Sequence, residues 1–516
     1  MEYYDVVVIG AGSGGLTAAV GFSKVGKRVL LIEKEHIGGE CTNTGCIPSK
    51  ALLHRAQAYH AAQKIAGKST QSEAYRVAAF SYVRKTIDHI LAEETPEMFE
   101  GMGIDVVLGE ASFHDKCSVT VADVTYQYKN AIIATGSSPR TITIDGLAKT
   151  DTLTNQNIFS LSTIPKQLLI IGSGPIGMEM AQAFAMLGSK VTIATIDNVF
   201  ARQEDSAIRS IIKKQFEGLG ITIHTNHAIT HTEGNTAYFV AHDTKKAFEG
   251  ETVSFDKILV AVGRTPNIPK GLDAAGIQTD QYGICIDSQH RTSNKYVYAV
   301  GDVAQPLKFT HTADDIARQV VAHVASKGFL RLNTKKAVPK VTYTHPELAQ
   351  VGLSHAAALT KYGTDSVRRI EVPFSVNDRA KTDSQTDGLL VVIARRLNGA
   401  VLGAHIVGPH AGEIIPIFTL AIDEKISLWR LQKSIISYPT YAQVAKKAGD
   451  YFVTVQLGSL KKDLLSILKG AAVKIIAALF WAVLIYGFQS YRTVNGLTYQ
   501  DTLFLLLDFF TSTLWG

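Results

Sequence analysis

The chain carries one structural module twice, and that repeat limits the available folds more than any other feature. Asp5-Val6-Val7-Val8-Ile9 is an apolar run of strand length. It leads into Gly10-Ala11-Gly12-Ser13-Gly14-Gly15, a helix-like stretch from Leu16 to Val25, and a second strand from Arg28 to Ile32 that ends at Glu33. The same order recurs in Gln167 to Ile171, the turn Gly172-Ser173-Gly174-Pro175-Ile176-Gly177, Met178 to Leu187 and Lys190 to Ile193. Each glycine has a task. The first (Gly10, Gly172) permits the tight turn, and the second (Gly12, Gly174) lets the backbone approach a pyrophosphate. The third (Gly15, Gly177) lets helix pack on strand, and the helix N-terminus turns unpaired N–H groups towards phosphates. Two such modules about 160 residues apart imply two dinucleotides, or one dinucleotide and a partner cofactor.

Glu33 stands where an acid binds a ribose hydroxyl pair. The same offset from Gly172 reaches Thr195, with Asp197 and Arg202 close by. Loss of the acid removes the clearest preference for NADH, and Arg202 would accept a 2′-phosphate, so the second nucleotide is read as NAD(P)H with a lean towards NADPH. Ala131 to Gly136, with Thr135, is an apolar strand ending in glycine, and Ile258 to Gly263 and Arg264 nearly copy it. Tyr296 to Asp302 is a further strand-to-glycine turn that ends in a carboxylate. The expected fold is α/β: two Rossmann-like domains, an α+β domain and a C-terminal helical tail. The boundaries fall at 1–150 with 266–335, 151–265, 336–455 and 456–516. A net charge of +6 over 516 residues, with no basic run bearing interleaved aromatics, excludes nucleic acid as a partner.

Only four cysteines occur, too few for a secreted disulfide scaffold. Two of them, Cys41 and Cys46, sit in Gly38-Gly39-Glu40-Cys41-Thr42-Asn43-Thr44-Gly45-Cys46-Ile47-Pro48-Ser49-Lys50. Thiols this close around glycine can form an easily reduced disulfide, and a helix start beside them would lower one thiol pKa. Cys117 and Cys285 lie in strand-like runs and are read as packing residues.

With these motifs in place, residues 1 to about 455 resemble the pyridine nucleotide–disulfide oxidoreductases: glutathione reductase, dihydrolipoamide dehydrogenase and mercuric reductase. The resemblance implies FAD on the first module, NAD(P)H on the second, a C-terminal dimerisation domain and a homodimer. It also implies that Cys46 is the thiolate touching the flavin and Cys41 the thiol that exchanges with substrate. Lys50 would lie near the flavin and pair with Glu179. Asp302 would bind the ribityl chain, and the segment Phe309 to Ala313, with His311, would lie near the isoalloxazine.

The departures from this family are specific. Where its disulfide reductases carry a His-Pro motif followed by Glu, this chain reads Ser437-Tyr438-Pro439-Thr440-Tyr441-Ala442-Gln443. A phenol with a pKa of about 10 is a poor proton shuttle at neutral pH. Mercuric reductases also tend to carry tyrosine there, but the extra C-terminal cysteine pair of that group is missing. His345 and His410 are candidate substitute bases.

Beyond residue 455 the chain outruns the family. Ile475 to Tyr491 is uncharged, Lys461, Lys462, Lys469 and Lys474 precede it, and a second apolar stretch runs from Leu497 to Trp515. Read with the basic-side rule, this predicts a membrane-anchoring tail that leaves the catalytic domains in the cytoplasm. The absence of a positively charged N-terminal region argues in the same direction. The combined reading is a membrane-tethered FAD enzyme. It uses NAD(P)H and the Cys41–Cys46 couple to reduce a small-molecule or protein acceptor that is a disulfide or another electrophile. The alternatives are a membrane quinone dehydrogenase, against which the cysteine pair argues, and a redox-responsive flavoprotein without rapid turnover.

Overall fold

Continuous apolar runs buried on both faces are what parallel sheets require, and the repeated module supplies them. In the computed structural model, which describes residues 2–66, 73–148, 152–244, 247–458 and Leu479, the strand Glu2–Ile9 is the centre of a seven-stranded sheet. It pairs in parallel with Val29–Glu33 on one side (Val6 beside Val29) and Val124–Ile133 on the other (Val6 beside Asn130). Ile104–Leu108 extends the first edge, and Val297–Ala299 returns from far along the chain to pair with Val124–Ile133. The second module builds a five-stranded parallel sheet in the order Thr222–Thr225, Lys190–Thr195, Gln167–Ile171, Lys257–Val260, Thr152–Leu153. The chain then forms a five-stranded antiparallel sheet. Its order is Lys340–Thr342, Glu347–Gly352, Val401–Gly408, Leu389–Arg395, Val367–Pro373, and Ala411–Asp423 is one of its accompanying helices.

The repeat extends to atomic detail. Gly10 N–H donates to Ile32 O at 2.8 Å, and Gly172 N–H donates to Ala194 O at 2.8 Å. Both glycines have positive φ, +102° and +110°. A Cβ on Gly10 would collide with Ala134 O, and one on Gly172 with Ala261 O, so the two strand-to-glycine copies fill equivalent places in their sheets.

The cysteine helix and the helix after the second glycine turn are cross-braced. Leu52 and Leu53 of the helix Cys46–Ala66 share one apolar core with Met180 and Phe184 of the helix Pro175–Met186. Phe80 meets Phe184 with ring centroids 6.3 Å apart. This packing fixes the distance between the cysteine segment and the second module.

Two expectations are corrected. Among the described residues no helix is long and apolar enough to cross a membrane, so the anchored localisation is not supported. Apart from Leu479, the stretches Ile475–Tyr491 and Leu497–Trp515 on which it rested lie outside the described residues. Residues 449–458 and Leu479, the described part of a second unit spanning Gly449–Gly516, are helical. Cys117 is not packing filler: it is exposed where Ala111–Asp115 turns into Ser118–Val121, because a tight turn leaves its tip in solvent.

Phe184 is fully buried at the helix crossing. Phe184→Ala is expected to cost about 3–5 kcal/mol, seen as a lower midpoint in denaturant unfolding. An unchanged midpoint would show that the brace is dispensable.

Candidate active site

The cysteine segment folds as two short elements around a break. Gly39–Asn43 makes one helical turn, and Cys46 is the first residue of the long helix Cys46–Ala66. Gly45 permits the break: a Cβ there would lie 2.8 Å from Glu40 O and 3.3 Å from Cys41 Cα. Pro48 sits in the first turn, where a missing N–H costs nothing. The result is that both sulfurs meet one hydroxyl. Thr310 Oγ1 lies 3.3 Å from Cys41 Sγ and 3.6 Å from Cys46 Sγ.

The two thiols are electrostatically unlike. The hydrogen bond from Cys41 draws Cys46 down to about 6, helped by the Thr310 hydroxyl and the Lys50 ammonium. Its place at a helix N-terminus acts in the same sense. Cys41 is pushed up, first by giving its proton to that hydrogen bond and then by burial. In the reduced pair Cys46 therefore holds the negative charge and Cys41 the proton.

Lys50, one turn along the same helix, donates to both carboxylate oxygens of Glu179 at 3.1 and 2.9 Å. Glu179 is buried, and it also accepts from Tyr343 N–H at 3.0 Å. The ammonium lies 4.4 Å from the centroid of the Tyr343 ring. The carboxylate and the aromatic face hold this half-buried cation in one place.

A cleft of about 2180 Å³ runs past both modules, and Gly12, Glu33, Cys46, Lys50, Gly174 and Asp302 are among its walls. Its volume leaves room for a dinucleotide such as FAD. The turn Gly10–Gly15 offers the N-terminus of Ser13–Lys24, and Gly12 and Gly39 pass so closely that a Cβ on Gly39 would lie 2.6 Å from Gly12 Cα. Glu33 is fixed at the end of its strand by accepting Ala11 N–H at 2.6 Å and Glu35 N–H at 2.7 Å. Thr135, Gly136 and Gly263 also line the cleft. Asp302 accepts from Ser137 Oγ at 2.5 Å.

The structure separates other expected residues from this group. Thr195 is buried, its hydroxyl bonded to Ser173 Oγ and to Asp197 N–H, each at 3.3 Å. Arg202 pairs with Asp197 at 3.1 Å at the surface. His311 lines the cleft but stacks on Phe309 and bonds Pro339 O at 2.9 Å. Tyr438 is 73% exposed and donates to Asp378 at 3.2 Å, and Gln443 bonds Ile436 O at 2.6 Å. His410 packs against Tyr441, with ring centroids 5.1 Å apart, and His345 is held through its backbone by Gln182.

Two features were not singled out in the sequence. Thr310 lies in the segment Phe309 to Ala313, directly before His311. The helix Thr310–Ala325 places Ala313 and Asp314 against the first module's helix, where Thr17 donates to Asp314 at 2.6 Å, and Thr310 shares that side. Its helical register was the usable signal. The other is the ion pair between Arg264 and Glu40, next to Cys41, which Asn155 and Ser137 complete. Partners 224 positions apart leave no local pattern to read.

The family model for pyridine nucleotide-disulphide oxidoreductases matches residues 4–321, and that for their dimerisation domain matches residues 338–448. A dihydrolipoyl dehydrogenase of Geobacillus stearothermophilus is 32% identical over 86% of this chain and 95% of its own. A mercuric reductase of Streptomyces lividans is 33% identical over 87% and 96%. The solved HOCl-induced flavoprotein disulfide reductase RclA of Escherichia coli superposes with a TM-score of 0.77 at 26% identity, covering 87% of this chain and 99% of that one. Nearly the full length of these relatives is matched by 86–87% of this chain. The chain belongs to the pyridine nucleotide–disulfide oxidoreductase family: it is an FAD-dependent, NAD(P)H-using disulfide oxidoreductase with a dimerisation domain that supports a homodimer.

Proposed function

We propose that electrons leave this enzyme through Cys41 and Cys46, and that Cys41 delivers them to a disulfide or another thiol-reactive electrophile needing little proton help. The observation that carries this reading is the pair of sulfurs gathered around Thr310 Oγ1 at the wall of the cofactor cleft.

In this reading residues 1–150 and 266–335 hold FAD, 151–265 hold NAD(P)H and 336–455 form the dimer contact. Gly10, Gly12 and Gly15 with Glu33 receive the adenine half of FAD, while Thr135, Gly136, Asp302 and His311 border its other half. Gly172, Gly174, Gly177 and Gly263 shape the second nucleotide site. Bound FAD supplies the two-electron link between NAD(P)H and the sulfurs. Lys50, fixed by Glu179, places a positive charge beside that link and beside the Cys46 thiolate. Cys41 as thiolate then attacks the acceptor sulfur. One acceptor bond breaks, a mixed disulfide forms, and Cys46 displaces the second half by closing the Cys41–Cys46 bond. Tyr438 can serve this chemistry only from across a dimer.

Cys41→Ser and Cys46→Ser should each lower disulfide turnover by roughly 10³-fold or more. Cys41→Ser should keep the long-wavelength thiolate–flavin absorption and Cys46→Ser should lose it. Turnover that survives both changes would refute the reading.

Because Cys46 is drawn down to about 6, its thiolate absorption in the reduced enzyme should persist at neutral pH and fade as pH drops through about 6. A free thiol would lose it near pH 8.5. Spectrophotometric titration separates the two.

Glu179→Gln leaves the Lys50 ammonium without its carboxylate. Rapid-mixing measurements should show reduction by NAD(P)H slowed by about 10²-fold, and an unaltered rate would remove the pair from the mechanism.

A further inference from the structure

We propose that Glu40 is the positioning residue for Cys41: through Arg264 and Asn155 it pins the turn that carries this thiol, and so keeps Cys41 against Cys46 while the pair is open. This inference rests on the Cys41–Cys46 reading and adds to it what holds the two sulfurs together when no bond joins them.

Both cysteines are free thiols in this structure, so the pair is seen open. Cys41 sits on the short turn Gly39–Asn43 and Cys46 on a separate helix, with the break at Gly45 between them. Once the sulfur–sulfur bond is cut, the packing of that turn must keep the Cys41 thiol donating to Cys46. Asn43 Nδ2 donates to Ile37 O at 3.0 Å and to Gly39 O at 2.8 Å, and Thr44 N–H donates to Glu40 O at 2.9 Å. These bonds shape the turn, but none of them reaches beyond residues 37–44. Glu40 supplies the outside tie. Its carboxylate accepts from Arg264 Nη1 at 2.7 Å, from Arg264 Nη2 and from Asn155 Nδ2. Asn155 Nδ2 also lies 3.2 Å from Thr44 O, so one amide holds both ends of residues 40–44.

The anchor is itself fixed. Arg264 begins the strand Arg264–Pro266, which pairs antiparallel with Ser137–Pro139. Its Nε donates to Ser137 Oγ at 2.7 Å, its Nη2 donates to Ser137 O at 2.5 Å, and Asp302 lies 3.5 Å away. Lys308 donates to Arg264 O at 3.1 Å. The side chains of Arg264 and Glu40 are only 17% and 26% exposed, and a two-pronged pair shielded to this degree contributes more than a surface ion pair. The groups that face Cys46 are Cys41, Thr310, Lys50, Glu179 and Tyr343. Glu40 acts on Cys46 by placing the first of them.

The test is a spectrophotometric pH titration of the FAD-loaded enzyme, reduced anaerobically with NADH or NADPH, that follows the long-wavelength thiolate–flavin absorption. In the native chain this absorption should fade as pH drops through about 6. Glu40→Ala frees the turn and weakens the bond from Cys41, so the midpoint should move up by about one unit. Asn155→Ala keeps the ion pair but opens the link to Thr44, and should move it up by about half a unit. Flavin content reports that each variant is folded, and if Glu40→Ala does not hold FAD, the Asn155→Ala midpoint decides. An unmoved midpoint in a folded variant would show that the pair serves stability only. A midpoint that moves down would show that Glu40 acts by its charge, whose removal favours a neighbouring thiolate. Either result overturns the proposal. If the reduced native enzyme shows no such absorption at any pH, the Cys41–Cys46 reading itself fails and the proposal with it.

Discussion

A sulfur that must hold negative charge at neutral pH sets the terms for the rest of this active site. Cys46 meets them with three stabilising contacts: a thiol proton from Cys41, the Thr310 hydroxyl and the Lys50 ammonium. Each comes from a different part of the chain, and each needs its own support. Cys41 can approach only because Gly45 lacks a side chain. Lys50 is held in place by the buried Glu179 carboxylate opposite it. Thr310 is aimed by a helix packed against the first glycine turn. Removing any one would leave an unpaired charge or an unshared proton.

The scaffold was legible in the sequence because its signals are local. The two glycine turns, their flanking apolar strands and the copies at Ala134 and Ala261 depend on backbone geometry that only particular residues allow. The Cys41–Cys46 spacing and the Lys50–Glu179 pair were read from the same kind of pattern, the latter through family resemblance. What escaped was long-range or directional. The choice of His311 over Thr310 turned on helix rotation, which a residue list does not convey. Thr195 held the expected sequence position, but its hydroxyl is satisfied inside the protein. The Glu40–Arg264 pair joins segments that only the fold brings together. The apolar C-terminal stretches satisfied a hydropathy rule, yet neither the described structure nor the relatives support membrane anchoring.

The departure at Tyr438 acquires a physical meaning in this setting. An exposed phenol bonded to Asp378 is not placed to move protons for the sulfur pair in its own subunit. Acceptors whose products leave as stabilised anions suit such a site better than those that require a strong external acid.

The most direct check is to follow the bond between the two sulfurs through one catalytic cycle. Enzyme quenched by acid and alkylation should give a Cys41–Cys46 linked peptide in the oxidised state. It should give two alkylated cysteines after one equivalent of NAD(P)H without oxygen, and the linked peptide again after the acceptor is added. A linked peptide that persists unopened while NAD(P)H is consumed would contradict the account.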